Sequence, residues 1–141
     1  MIKTLLFFLI PVSILAQSEG AVKIPGGLVS YRTFGTAEPI LIINGGPGMN
    51  CNGFVPLAEK LSAHNMIILY DQRGTGKSQL DKVDASTVTM DLMISDIEAL
   101  RNNLNIKKWT ILGHSFGGML ASYYATIHPD KNDKLIMSSA G

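Results

Sequence analysis

The chain has 141 residues, is 46% hydrophobic, and carries 12 Lys and Arg against 11 Asp and Glu for a formal net charge of +1. That size and composition suit one globular domain rather than a disordered chain, and no basic run is long enough to follow a phosphate backbone, which argues against a nucleic-acid partner. The single cysteine, Cys51, has no internal disulfide partner, and no Cys/His group has zinc-site spacing, so neither a metal nor another cofactor is expected.

Residues 1–16 differ chemically from the rest of the chain. Lys3 supplies a positive start, Leu5 to Leu15 is apolar apart from Pro11 and Ser13, and Ala16 is small enough to precede a cleavage site. The pattern is that of a secretory signal peptide, and the apolar run is shorter than the roughly 20 residues that cross a bilayer. Export is therefore expected, to the periplasm or the exterior, without stable membrane insertion after cleavage. Residues 17–141 would form the mature domain.

Two β-prone runs come next, Ala21 to Ile24 and Leu28 to Phe34, joined by Pro25-Gly26-Gly27; together they suggest a hairpin. Pro39 to Ile43, Asn65 to Tyr70, Lys108 to Leu112 and Lys134 to Met137 are compact runs rich in Ile, Leu and Met with little alternation in polarity. Strands buried on both faces read this way, as in a parallel sheet covered by helices on both sides. Between them, Met93, Ile97, Leu100 and Leu104 recur at helical spacing, with Ser86 or Thr87 available as a cap for a helix of about five turns. Shorter helices are expected over Phe54 to Ala63 and Phe116 to Ile127, the second ended by His128-Pro129. The order gives an α/β domain with a mainly parallel sheet and flanking helices.

Three segments carry chemistry. Gly113-His114-Ser115-Phe116-Gly117 fits G-x-S-x-G directly after an expected strand and before an expected helix. A sharp turn there needs small neighbours and lifts the serine hydroxyl above the sheet, while the helix N-terminus offers N–H groups to a developing oxyanion. Ser115 is the expected nucleophile; a glycine-rich turn with a capping serine would carry the same letters without the chemistry. Asn44-Gly45-Gly46-Pro47-Gly48, at the end of the strand Pro39 to Ile43, lets the backbone approach a ligand closely. In such a site Phe116 N–H gives one oxyanion donor and this loop the other, assigned to Gly46 because Pro47 has no N–H. The competing reading is an ordinary tight turn. In Tyr70 to Ser78, the ending Gly76-Lys77-Ser78 suggests a nucleotide-binding loop, but that motif requires glycine at position 71, where the chain has Asp71. Asp71 and Arg73 are expected to pair or hydrogen-bond locally and fix this loop beside the site.

With these motifs in order, the chain resembles the proline iminopeptidase branch of the α/β-hydrolases. Asn44-Gly45-Gly46-Pro47-Gly48 is similar to that family's His-Gly-Gly-Pro-Gly, Asp71-Gln72-Arg73-Gly74 matches its Asp-Gln-Arg-Gly, and Gly113 to Gly118 is similar to its elbow. Asn44 stands where the family has histidine. His114 and Phe116 stand where its peptidases often have glycine and tryptophan, which makes Gly-His-Ser-Phe-Gly-Gly similar to esterase-like members.

The resemblance implies an α/β-hydrolase fold and an aminopeptidase acting on short peptides, with hydrolysis of a small ester as the second reading. A non-catalytic α/β-hydrolase-fold binding protein is the alternative of another class. The resemblance also implies the chain order Ser, then Asp or Glu, then His. His64 precedes the nucleophile, His114 is inside the elbow and His128 closes the next helix, while Asp130 and Asp133 come too early to be the acid. The acid, the base and the family's cap are therefore expected beyond Gly141, with the fold cut after about the sixth strand and the fragment alone inactive.

Overall fold

The computed structural model describes residues 17–139; the signal peptide expected over residues 1–16 lies outside them. Strands β1 (Gln17–Ile24) and β2 (Gly27–Phe34) form the expected hairpin, closed by Pro25-Gly26 with Gly26 at φ 75°. β1 begins four residues earlier than Ala21 because antiparallel pairing with Phe34 carries it back through exposed Gln17, Ser18 and Glu19. Among the described residues this is an edge strand, so pairing recruits polar residues that hydrophobic pattern alone would leave out.

The remaining strands are β3 (Glu38–Ile43), β4 (Asn65–Tyr70), β5 (Gln79–Leu80), β6 (Trp109–His114) and β7 (Asn132–Ser138). Their order in the sheet is β1-β2-β4-β3-β6-β7, with β5 added to β2. β3 runs parallel to β4 and β6, β6 runs parallel to β7, and β2 joins antiparallel to β4. β5 has no counterpart in the sequence pattern: Gln79 to Asp84 reads as loop, and only contact with Gly27 and Leu28 makes its start a strand. A Cβ at Gly27 would lie 2.0 Å from the Gln79 carbonyl oxygen, so the close pairing depends on glycine there.

Alternate residues of the central strands serve opposite faces. Leu41, Ile43, Ile68, Tyr70 and Ile111 pack with Met93, Ile97 and Leu100 of α2 (Met90–Asn103) and with Leu120 and Tyr124 of α3 (Phe116–Ile127). Ile42, Ile67 and Leu69 turn the other way, toward Ala58 of α1 (Val55–Leu61), Phe34 and Cys51. The weak polarity alternation of these strands is a direct result, since both side-chain sets leave water.

α2 is shorter than expected. Thr89 caps it, its Oγ1 accepting from Leu92 N–H at 3.3 Å, and the helix runs 14 residues, about four turns. Ser86 and Thr87 instead close a turn on Asp84, whose carboxylate accepts from the Ser86 and Thr87 N–H groups at 2.8 and 3.2 Å. The segment expected as one helix over Phe54 to Ala63 is a 3-10 turn, Asn52–Phe54, followed by α1.

β3 leads through α1 to β4 on one side, whereas β6, on the other side of β3, leads through α3 to β7. Right-handed crossovers running in opposite directions put α1 and α3 on opposite faces. The loops leaving β3 and β6 therefore part from one another at the carboxyl ends of two adjacent strands, a topological switch point where open α/β sheets bind ligands.

Candidate active site

Ser115 stands at this point, between β6 and α3, with φ 53° and ψ −123° and its side chain exposed. A non-glycine residue in that conformation is costly and persists only where its surroundings impose it. They do so at van der Waals range. A Cβ at Gly113 would lie 2.5 Å from the Gly117 carbonyl oxygen, and one at Gly117 would lie 2.2 Å from the Ile43 oxygen and 2.5 Å from the Asn44 oxygen. The Ser115 N–H donates to the Ser138 carbonyl at 3.0 Å, tying the elbow to the end of β7, and the Ser115 carbonyl accepts from Gly118 N–H at 2.8 Å.

The glycine loop comes down on the elbow from β3. A Cβ at Gly45 would lie 3.4 Å from the Ser115 Cβ and 3.5 Å from His114 Cδ2. Gly46, next in the chain, has φ 137° and Gly48 φ 92°, values open to glycine and strained for other residues. Phe116 is the first residue of α3, so its N–H belongs to the helix's unsatisfied N-terminal donors, beside Ser115. The structure thus gathers the three expected site residues, Gly46, Ser115 and Phe116, at one end of the sheet.

The Asp71 to Ser78 loop is the third wall, held by local hydrogen bonds to Asp71, as expected, and by a more distant partner for Arg73. Asp71 and Arg73 do not bond to each other. Asp71 accepts from Cys51 N–H at 2.9 Å and Lys77 N–H at 2.8 Å, joining the end of the glycine loop to its own loop. Gly76, at φ 52°, leaves room for that carboxylate, since a Cβ there would lie 2.2 Å from Asp71 Oδ2. Arg73 reaches Asp96 of α2 through two bonds, at 2.8 and 2.7 Å, and donates to the Thr87 carbonyl at 2.5 Å. Burial pushes the Asp96 carboxyl above its ordinary range, opposed by the Arg73 guanidinium. A sequence signal for this pair exists, because Asp96 falls on the apolar stripe of α2 beside Met93, Ile97 and Leu100. Gln72, buried between the two, donates from Nε2 to the Asn44 carbonyl at 2.9 Å; the Asp-Gln-Arg-Gly match includes this residue, but the sequence assigns it no partner.

The three histidines lie where the sequence suggests. His64 is exposed before β4, and His128 stacks on Tyr124 with ring centres 5.1 Å apart. His114 Nδ1 lies 3.2 Å from Ser138 Oγ, its ring edge-on to Phe54. Among the described residues none hydrogen-bonds Ser115 Oγ. Asp130 ion-pairs with Lys131, and Asp133 is exposed on β7. Cys51 is buried under the loop, where desolvation pushes its thiol up to about 11 and away from nucleophilic use at neutral pH. Among the described residues no group of three His, Cys, Asp or Glu could hold a metal ion, and no helix is long and apolar enough to cross a membrane. A cavity of about 300 Å³ lined by Pro47, Gln72, Val83 and Met93 adjoins the glycine loop.

Comparison with known proteins agrees with this geometry. The α/β hydrolase fold family model matches residues 38–140. The chain is 34% identical over 125 residues to a proline iminopeptidase of Heyndrickxia coagulans, and 36% identical over 126 residues to one of Lactobacillus helveticus; each match covers 86% of this chain and 43% of the relative. The chain thus spans less than half the length of these curated relatives. Among solved structures, a Vigna radiata epoxide hydrolase mutant superposes with TM-score 0.79 at 21% identity, covering 86% of this chain and 38% of the other. At that identity the likeness shows the fold alone. A marine microorganism esterase superposes with TM-score 0.70 at 29% identity, covering 77% of this chain and 40% of the other. The match over residues 38–140 takes in the glycine loop, the Asp71 to Ser78 segment and the serine turn on the sheet order described above, and this chain belongs to the α/β hydrolase fold family.

Proposed function

We propose that the chain belongs to a serine hydrolase, an aminopeptidase that releases N-terminal residues from short peptides. The observation that carries the reading is the backbone of Ser115, held at φ 53° by glycine contacts on both sides at a switch point of the sheet. The similarity to proline iminopeptidases favours a peptide substrate. Ser115 Oγ attacks the carbonyl carbon of the first peptide bond and gives up its proton to a histidine base. The carbonyl oxygen becomes an oxyanion that accepts from the Phe116 and Gly46 N–H groups. Collapse of this adduct breaks the C–N bond, the departing amine takes the proton from the base, and water then hydrolyses the acyl-enzyme to free Ser115. We place the base and its acid outside residues 17–139, following the nucleophile as in the family order, because His64 is exposed just ahead of β4, His114 faces Ser138 and His128 stacks on Tyr124.

Ester hydrolysis is the second reading, favoured by His114 and Phe116 within the elbow and by the likeness to the marine esterase. Export through residues 1–16 completes the proposal, supported by Lys3 and the apolar run to Leu15; an exported product should begin near Gln17, and intact Met1 on N-terminal sequencing would contradict this. The test of substrate class is a side-by-side assay of the full-length protein on proline and alanine p-nitroanilides and on short acyl esters. A higher kcat/KM on the anilides supports the peptidase, and turnover of esters alone supports the second reading.

A further inference from the structure

The loop expected to supply the second oxyanion donor contains Gly45, Gly46 and Gly48, and glycines have little conformational stiffness of their own. Something else must fix the direction of its N–H groups, and the structure shows what touches it. The Asn44 carbonyl, the last before the glycines, accepts from Gln72 Nε2 at 2.9 Å in a bond whose residues are 2% and 1% exposed. The same carbonyl faces the elbow helix, where a Cβ on Gly117 would come within 2.5 Å of it. Asn44 Nδ2 donates to the Gly45 and Met49 carbonyls at 2.7 and 2.9 Å, closing the loop on itself. Gln72 is immobilised in turn: its carbonyl accepts from the Thr75 N–H at 3.0 Å and from Thr75 Oγ1 at 2.8 Å, and its neighbours Asp71 and Arg73 are anchored to Cys51, Lys77 and Asp96.

We propose that Gln72 is a positioning residue, whose single donated hydrogen bond to the Asn44 carbonyl orients the Asn44–Gly45 peptide and so aims the Gly46 N–H at the oxyanion over Ser115. This rests on the serine-hydrolase reading above. Loss of the bond lets the peptide rotate about its glycine side, and a displacement of about 1 Å at a reacting centre costs on the order of 10²-fold in rate. Substrate binding, which does not use the oxyanion contact, changes little.

The test uses the full-length protein with Gln72→Met, which keeps the length of the side chain without a donor, and Gln72→Glu, which donates only when protonated. Turnover of alanine p-nitroanilide should fall about 10- to 100-fold in Gln72→Met, with KM within about threefold of the wild type and Ser115 still labelled, more slowly, by a fluorophosphonate. The Gln72→Glu rate relative to the wild type should fall as pH rises from 5 to 9, whereas the Gln72→Met ratio stays level. A purely structural role would move neither the kcat-against-KM split nor this pH ratio. If either variant does not melt cooperatively, Thr75→Val, which removes the hydroxyl behind Gln72 and keeps its amide, should lower kcat severalfold at unchanged KM. Folded variants with wild-type kcat, or losses confined to KM, overturn the proposal while leaving the serine hydrolase intact. A wild-type protein that neither labels at Ser115 nor turns over substrate overturns both.

Discussion

Arg73 and Asp96 form a bidentate ion pair in which both side chains are 1% exposed, joining the loop after β4 to the middle of α2. Breaking such a pair from one side leaves a desolvated charge without its partner, which costs about 3–5 kcal/mol. Asp96→Asn should therefore lower unfolding stability by that order, read as a lower urea midpoint at unchanged slope. A loss under about 1 kcal/mol would show that water reaches Arg73.

Gly117 allows the elbow helix to lie against the end of β3. Its Cβ position falls 2.2 Å from a backbone oxygen, which cannot swing aside as a flexible side chain can. Gly117→Ala should cost about 1–3 kcal/mol or more and displace Ser115 from the glycine loop, so activity should fall together with melting temperature. Gly53→Ala is the control, since a Cβ there meets nothing within 4 Å. Equal melting temperatures for the two variants would contradict the packing described.

Glu98 accepts from Arg101 of its own helix at 2.7 Å and links α2 to α3 by accepting from the Tyr124 hydroxyl at 2.5 Å. Its carboxyl is held below its ordinary 4.5, chiefly by the Arg101 hydrogen bonds and against partial burial. An acid with a depressed folded value stabilises the fold above its unfolded value, and this contribution is lost as pH falls through the folded one. Between pH 7 and pH 3 the wild type should lose more melting temperature than Glu98→Gln, and parallel curves would remove Glu98 from the acid sensitivity.

β7 pairs with β6 on one side and, among the described residues, with nothing on the other, and Leu135, Ile136 and Met137 are 37–45% exposed. An unpaired apolar edge is a template for association. Expressed alone, the 141-residue chain should bind a hydrophobic dye and elute as aggregates, and Ile136→Lys should shift it toward monomer. A monomeric wild-type chain with a cooperative melt would contradict this reading.

The sheet is legible in the sequence because its central strands carry apolar runs such as Ile40 to Ile43 and Ile67 to Tyr70, which only burial on both faces accommodates. Ser115 is legible because the G-x-S-x-G letters fall between a strand and a helix. Less accessible are features made by contacts distant in sequence. β5 exists through pairing with Gly27 and Leu28, and Gln72 meets Asn44 from 28 residues away. The cap of α2 is misread from sequence because Ser86 and Thr87 are both competent caps; the Asp84 turn takes them and Thr89 caps instead. Proximity in the motif suggests Asp71 as the partner of Arg73, whereas the carboxylate it meets is on the buried face of a helix.

The central claim is that Ser115 is a nucleophile held ready by the elbow. The most direct measurement is fluorophosphonate labelling of the full-length protein followed by peptide mapping, with Ser115→Ala alongside. The account requires the probe on the peptide containing Ser115, no labelling in Ser115→Ala at an unchanged melting temperature, and peptidase turnover lower by several orders of magnitude in that variant. Labelling that persists in folded Ser115→Ala, or a wild-type protein that remains unlabelled while hydrolysing substrate, would contradict it.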